Sequence, residues 1–351
     1  MTRHIRSVII LLLTVGLMAF FLRNANLSRV WSEVLSARWD LLLAGVVLTL
    51  VAYLLRVERW RHLLYPIGNP KFGSALRATV IGFAANALLP GRVGEVVRPL
   101  VLARRERLSA TATFATIVVE RLLDLLAVCL IVAGFVTLSG FETSAASGEL
   151  LETLETAAVV AGGLAVATLG GVFLLAANPA RAGRVVHRWA IRAPGGLVRP
   201  LTSFAERFLE GLAVTRQARP LGVALAWSVP LWTATALSIW CVTEAFGIHV
   251  PLSGATILMA LIVVGVAVPT PGGVGGYHAA YQLGATVLYG ATDDRAVGAA
   301  LVMHLVSFGP ITLLGLVFMA QDGLRLRGIR DLAPSDGSSR EPVDSENRST
   351  S

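Results

Sequence analysis

Three short stretches hold most of the side chains that could do chemistry in an otherwise apolar chain. The first runs Asn86-Ala87-Leu88-Leu89-Pro90-Gly91-Arg92-Val93-Gly94-Glu95-Val96-Val97-Arg98 and reads as a helix end, a turn and a new helix start. Gly91 and Gly94 allow backbone conformations that other residues resist, and a helix start presents free N–H groups and a positive dipole end that attract an anion such as phosphate. Arg92 and Arg98 can add paired donors, and Glu95 can orient an arginine or take up a proton. The plainer alternative is that Glu95 and Arg98, three apart, neutralise each other.

The second stretch, Val118-Val119-Glu120-Arg121-Leu122-Leu123-Asp124, puts three charges inside an apolar helix. With Ser109 as its cap, Glu120 and Arg121 lie roughly 16 to 18 Å along that helix. Arg121 and Asp124 are spaced to pair locally, and Glu120 and Asp124 share a face that can meet Arg92 or Arg98. A structural clamp and a substrate or proton role are both open readings. The third stretch, Val268-Pro269-Thr270-Pro271-Gly272-Gly273-Val274-Gly275-Gly276-Tyr277-His278, has glycines and a histidine where the first has charges. His278 is either a pH-sensitive partner or a ring bonded to a freed carbonyl, and His304 and Glu244 carry the same two readings. Arg56 and Arg59, beside Trp60, are expected to extend to the inner interface as anchors.

The elements that position these residues must sit in a bilayer. Of 351 residues, 55% are hydrophobic and only 15% charged, well below the roughly one-quarter charged share of soluble domains. Stretches 7–22, 41–64, 110–139, 156–177, 221–246 and 296–320 meet or approach the ~20 apolar residues that a helix needs to cross the hydrocarbon. Two more apolar regions, 72–104 and 252–290, are each broken midway by the Pro/Gly clusters above. Broken backbone at membrane depth survives only inside protein or beside water, so each reads as a re-entrant hairpin.

The formal net charge of +8 is arginine-dominated and clustered in loops, which indicates topology rather than nucleic-acid binding. Arg56, Arg59, Arg61 and Lys71 flank the first hairpin on one side, and Arg104, Arg105 and Arg107 on the other. The connection 179–219, with Trp189, Phe204 and Phe208, reads as basic interfacial chain on an anionic leaflet. The segment Gly140–Glu155 carries glutamates and no basic residue, as an external loop would. Both termini are then cytoplasmic, and the Ser-, Asp- and Pro-containing tail 331–351 is expected to be disordered.

The expected fold is therefore an all-α polytopic membrane domain over 1–330. It has six full spans and two re-entrant hairpins in an inverted repeat, 1–139 and 156–321. The shared P-G-x-V-G at Pro90–Gly94 and Pro271–Gly275 supports the repeat, and paired broken helices point to a transporter's central site. No P-loop lysine, G-x-S-x-G elbow or H-E-x-x-H spacing is present in the sequence, so no ATPase or hydrolase chemistry and no cofactor or metal is expected. Cys129 and Cys241 lie in apolar runs and read as buried hydrophobes.

Four motifs in order carry a resemblance: R-x-x-R-W at Arg56–Trp60, N-x-x-x-P-G-R-x-G-E at Asn86–Glu95, E-R-x-x-D at Glu120–Asp124 and P-T-P-G-G-x-G at Pro269–Gly275. Over about residues 5–325 the chain resembles the flippase-like family that shares the transmembrane region of lysylphosphatidylglycerol synthases. The resemblance implies a non-enzymatic lipid translocase of the cytoplasmic membrane, with anionic lipids as partners. His278 departs from it, since the family commonly has glutamate a few residues after P-G-G. A scaffold for a lipid-modifying enzyme or glycosyltransferase is the alternative. The residues expected to meet substrate are Asn86, Pro90, Gly91, Arg92, Gly94, Glu95, Arg98, Glu120, Arg121, Asp124, Pro269, Pro271, Gly272, Gly273, Gly275 and His278.

Overall fold

The computed structural model describes residues 25–89, 92–139, 218–268 and 270–323, most of 12–23 and isolated positions between 156 and 212. Expected span 156–177, the connection 179–219 and the tail 331–351 lie largely or wholly outside these residues, as do Pro90, Gly91 and Pro269, and expected span 7–22 is described only in part. Among the described residues every element is helical. In chain order they are α1 (Leu27–Ser36), α2 (Trp39–Leu64), α3 (Phe72–Leu88), α4 (Gly94–Glu106), α5 (Ala110–Ser139), α6 (Ala218–Ala245), α7 (Leu252–Val266), α8 (Gly276–Tyr289) and α9 (Asp293–Gln321). A 3-10 turn, Pro271–Gly273, stands between α7 and α8.

Among the described residues three helices, α2, α6 and α9, are long and apolar enough to cross a membrane. At 1.5 Å per residue, the 26 residues of α2 extend about 39 Å. Its outer face exposes Leu43, Val47, Leu50 and Leu54, a helical stripe that water would penalise and lipid tails would not. The 30 residues of α5 are also long enough, but carry Glu120, Arg121 and Asp124 within them. Ser109 caps α5 as expected, its Oγ accepting from the Ala112 amide at 3.3 Å. Helix α1 falls on residues for which the sequence suggests no element, because ten residues are too short for a spanning stretch. Asn26 caps it through the amides of Ser28 and Arg29.

Helices α2 and α6 form the central pair and run antiparallel. The Arg38 amide donates to the Ala245 carbonyl at one end, Thr49 Oγ1 meets Ser238 Oγ at 2.9 Å midway, and Arg59 Nη1 donates to Ser228 Oγ at 3.0 Å near the other end. Helices α3 and α9 are antiparallel too, with Gly315 set against Val80 and Ala84 and Arg77 paired with Asp322 at 2.8 Å.

The regions expected to be hairpins are helix–break–helix pairs. Helices α3 and α4 pack against each other through Gly82 and Gly94, where a Cβ on Gly94 would collide with the Gly82 carbonyl oxygen. Helices α7 and α8 close in the same way through Gly265 and Gly276. Arg77 of α3 and Arg105 of α4 both reach Asp322, at 2.8 and 2.6 Å, so the first hairpin begins and ends at one end of the bundle. Gly254 of α7 lies against Tyr289 of α8, and Gln282 of α8 donates to Asp293 of α9, which closes the second hairpin at the opposite end. The two breaks meet in the interior.

Candidate functional site

Each break is built by local sequence. The Asn86 side chain at the end of α3 accepts the Gly94 amide at 2.7 Å, and the Glu95 and Val96 amides donate to the Arg92 and Val93 carbonyls. The first amides of α4 are therefore already satisfied, and the expected open anion seat at that helix start is not what these groups form. Arg92 itself has φ of 56°, a left-handed conformation rare for a side chain of its size. On the second break Gly272, Gly273 and Gly275 have φ of 61°, 69° and 89°, which is why this turn requires glycine.

The two tips touch. Arg92 Nη2 donates to the Val266 carbonyl at 2.8 Å, and His304 Nε2 lies 2.9 Å from the Gly272 carbonyl. His278 is buried, with Nδ1 facing the Gly275 amide at 3.3 Å. Its ring packs against Phe21 and His304. His304 meets a carbonyl freed at the turn, as one of its two readings has it, whereas His278 accepts an amide N–H rather than meeting a carbonyl. Glu244 sits away from this centre, accepting from the Val250 amide and pairing with His249 at 3.0 Å.

Beside the tips is a buried ionic cluster. Glu120, fully buried, lies 2.7 Å from Arg121, 2.9 Å from Arg98, 3.4 Å from Arg59 and 3.8 Å from Arg56. Asp124 lies 2.7 Å from Arg59, 3.3 Å from Arg121 and 3.5 Å from Arg56, and accepts from Trp232 Nε1 at 3.1 Å. The Arg98 guanidinium stacks 3.8 Å over the Trp60 ring, whose Nε1 donates to Thr116. The plainer alternative, Glu95–Arg98 neutralisation, does not occur. Glu95 faces Arg92 at 3.6 Å instead, and Arg98 turns to Glu120.

Arg56 and Arg59 are not interfacial anchors. Arg59 is fully buried and the Arg56 side chain only 12% exposed, because the acids of α5 give them partners that the headgroup region would otherwise supply. The spacing R-x-x-R on an apolar helix was the available signal: residues three apart share a face, and that face points inward.

Cluster and tips border one cavity of about 490 Å³. Arg56, Arg92, Glu95, Arg121 and Asp124 line its charged part, and Tyr53, Trp232, Met259, Ile262 and Phe308 much of the rest. Asn86, Gly272 and Gly273 also reach it. Arg98, Glu120 and His278 do not line it; they lie behind its wall. No group of three or more metal-ligating side chains occurs among the described residues.

Long apolar helices around two broken hairpins and a buried ionic core define a helical, multi-pass membrane protein. Residues 7–315 match the family described as the lysylphosphatidylglycerol synthase transmembrane region, and the chain belongs to that family. It is similar to glycosyltransferase AglD of Haloferax volcanii, 28% identical over an alignment of 337 residues, which covers 90% of this chain and 54% of that protein. A UPF0104 membrane protein of Methanothermobacter thermautotrophicus is 32% identical over 99 residues, 28% of this chain and 29% of that protein. The chain thus spans about half the length of the first relative and under a third of the second.

Proposed function

We propose that the protein is a flippase-like transporter that moves a lipid or lipid-linked anionic amphiphile, of phospholipid or polyprenyl-phosphate type, across the cytoplasmic membrane. The observation that carries this reading is the cavity of about 490 Å³ where the two hairpin tips meet, cationic on one side and apolar on the other. A polar head needs such a protected interior, while its tails can remain in lipid. Six full spans and two re-entrant hairpins, in inverted repeats 1–139 and 156–321, complete the proposal. The antiparallel α2–α6 pair and hairpins closed at opposite ends support it. The arginine-rich end, with both termini, is cytoplasmic. In this reading the protein catalyses no covalent chemistry.

A second reading is a non-transporting partner of a glycosyltransferase or lipid-modifying enzyme, favoured by the name of the similar protein AglD. Proteoliposomes separate the two. Labelled phosphatidylglycerol, phosphatidic acid and polyprenyl phosphate should cross faster than in protein-free vesicles. No movement of any of them, with or without a proton gradient, together with a co-purifying enzyme, selects the partner reading; a chemically new lipid would reveal an enzyme.

A further inference from the structure

Among the described residues the ionic core is not neutral. In and behind the cavity wall they place five guanidinium groups, Arg56, Arg59, Arg92, Arg98 and Arg121, against three carboxylates, Glu95, Glu120 and Asp124. Arg92 and Glu95 answer each other, so the surplus lies with the other four arginines and two acids. Both acids are already shared: Glu120 is within 4 Å of all four guanidiniums, and Asp124 of three. Donor atoms outnumber acceptors among the buried groups without a hydrogen-bond partner: Arg59 Nε and Nη2, Arg98 Nε and Nη2, and Arg121 Nε stand against one carboxylate oxygen, Glu120 Oε2. Surplus charge in low dielectric is costly unless an opposite charge answers it.

The four arginines divide by what they face. Arg56 and Arg121 line the cavity, and the Arg121 side chain is 38% exposed. Arg59 and Arg98, 0% and 4% exposed, stand behind the acids. We infer that the cavity takes a headgroup carrying two negative charges, a phosphate monoester or a diphosphate, held by Arg56 and Arg121. The inference rests on the transport reading above and names its substrate class. Arg59 and Arg98 are positioning residues that hold Glu120 and Asp124 in place. A phosphodiester brings one negative charge and leaves one guanidinium unanswered, and a zwitterionic head adds a cation as well. Guanidinium forks match the several oxygens of a terminal phosphate with paired donors.

The test is competition binding to the purified full chain in detergent, read by native mass spectrometry. The probes are phosphatidic acid, a polyprenyl diphosphate, phosphatidylglycerol and phosphatidylcholine, with acyl chains matched among the glycerolipids. The expected result is at least tenfold tighter binding of phosphatidic acid than of phosphatidylglycerol, with phosphatidylcholine weakest and the diphosphate displacing phosphatidic acid. Arg56→Gln and Arg121→Gln should each reduce the preference for phosphatidic acid to under threefold, and Arg121→Lys should restore part of it. Equal binding of phosphatidic acid and phosphatidylglycerol by the wild type would overturn the inference, as would a preference kept in both glutamine variants. Preferential binding without transbilayer movement would leave the inference standing and remove the transport reading; movement of lipids without any preference would do the reverse.

Discussion

The Arg92 guanidinium donates to the Val266 carbonyl at 2.8 Å, tying the tip of one broken hairpin to the end of the helix that leads into the other. The bond joins a side chain from a turn with strained backbone to a carbonyl at a helix end, where the ladder has run out of internal donors.

Replacing Arg92 separates backbone from side chain. Arg92→Gly removes the tie while relieving a left-handed non-glycine conformation, which costs on the order of 1 kcal/mol or more. Thermal unfolding in detergent should therefore be unchanged or shifted slightly upward, while lipid movement falls at least tenfold. Movement at the wild-type rate would show that the tip contact has no part in transport.

Glu120 answers four arginines at once, so its loss leaves buried positive charge without its main partner. Glu120→Gln should destabilise the protein by about 3–5 kcal/mol, the range found when one member of a buried ion pair is removed. The double variant Glu120→Gln with Arg98→Gln should be less destabilised than the sum of the two single variants. Chemical denaturation of the four proteins measures the coupling.

Two contacts made by uncharged side chains should show smaller effects. Asn86→Ala frees the Gly94 amide at the start of α4, and the loss of such a cap costs roughly 1 kcal/mol. Trp232→Phe keeps a smaller aromatic ring but removes the donor to Asp124, with about 1–3 kcal/mol expected for a buried charged acceptor. Melting temperatures of both variants, each below the wild type, test the assignments.

Topology can be read chemically. In a background with Cys129 and Cys241 replaced by alanine, single cysteines at the exposed positions Lys71 and Arg107, on either side of the first hairpin, should both react with a membrane-impermeant thiol reagent only from the cytoplasmic side. A cysteine at exposed His249 should react only from outside. Labelling of Lys71 and Arg107 positions from opposite sides would show the first hairpin to be a full span.

Much of this arrangement was legible in the chain, for physical reasons. Apolar length located α2, α5, α6 and α9 to within a few residues, and the shared P-G-x-V-G marked both breaks. Local spacing showed that Arg121 and Asp124 can pair, and they do at 3.3 Å. The site's closure was not legible. Arg56 and Arg59 lie close enough to the end of α2 to read as interfacial, and nothing in their own helix reveals that α5 brings acids against them. Trp232, on α6, has no neighbouring motif at all; only the fold sets its indole against Asp124. The helix-start anion seat failed because Asn86, eight residues away in sequence, satisfies the amide that was to hold the anion.

The most direct test of the central claim is the rate of phosphatidic acid movement in proteoliposomes made with wild type, Arg121→Gln and Arg77→Gln. Arg121 lines the cavity, whereas Arg77 pairs with Asp322 at the basic end of the bundle. The account predicts movement above protein-free vesicles for wild type and Arg77→Gln, and at least a tenfold loss for Arg121→Gln at equal folded protein. Equal rates for all three proteins would contradict it.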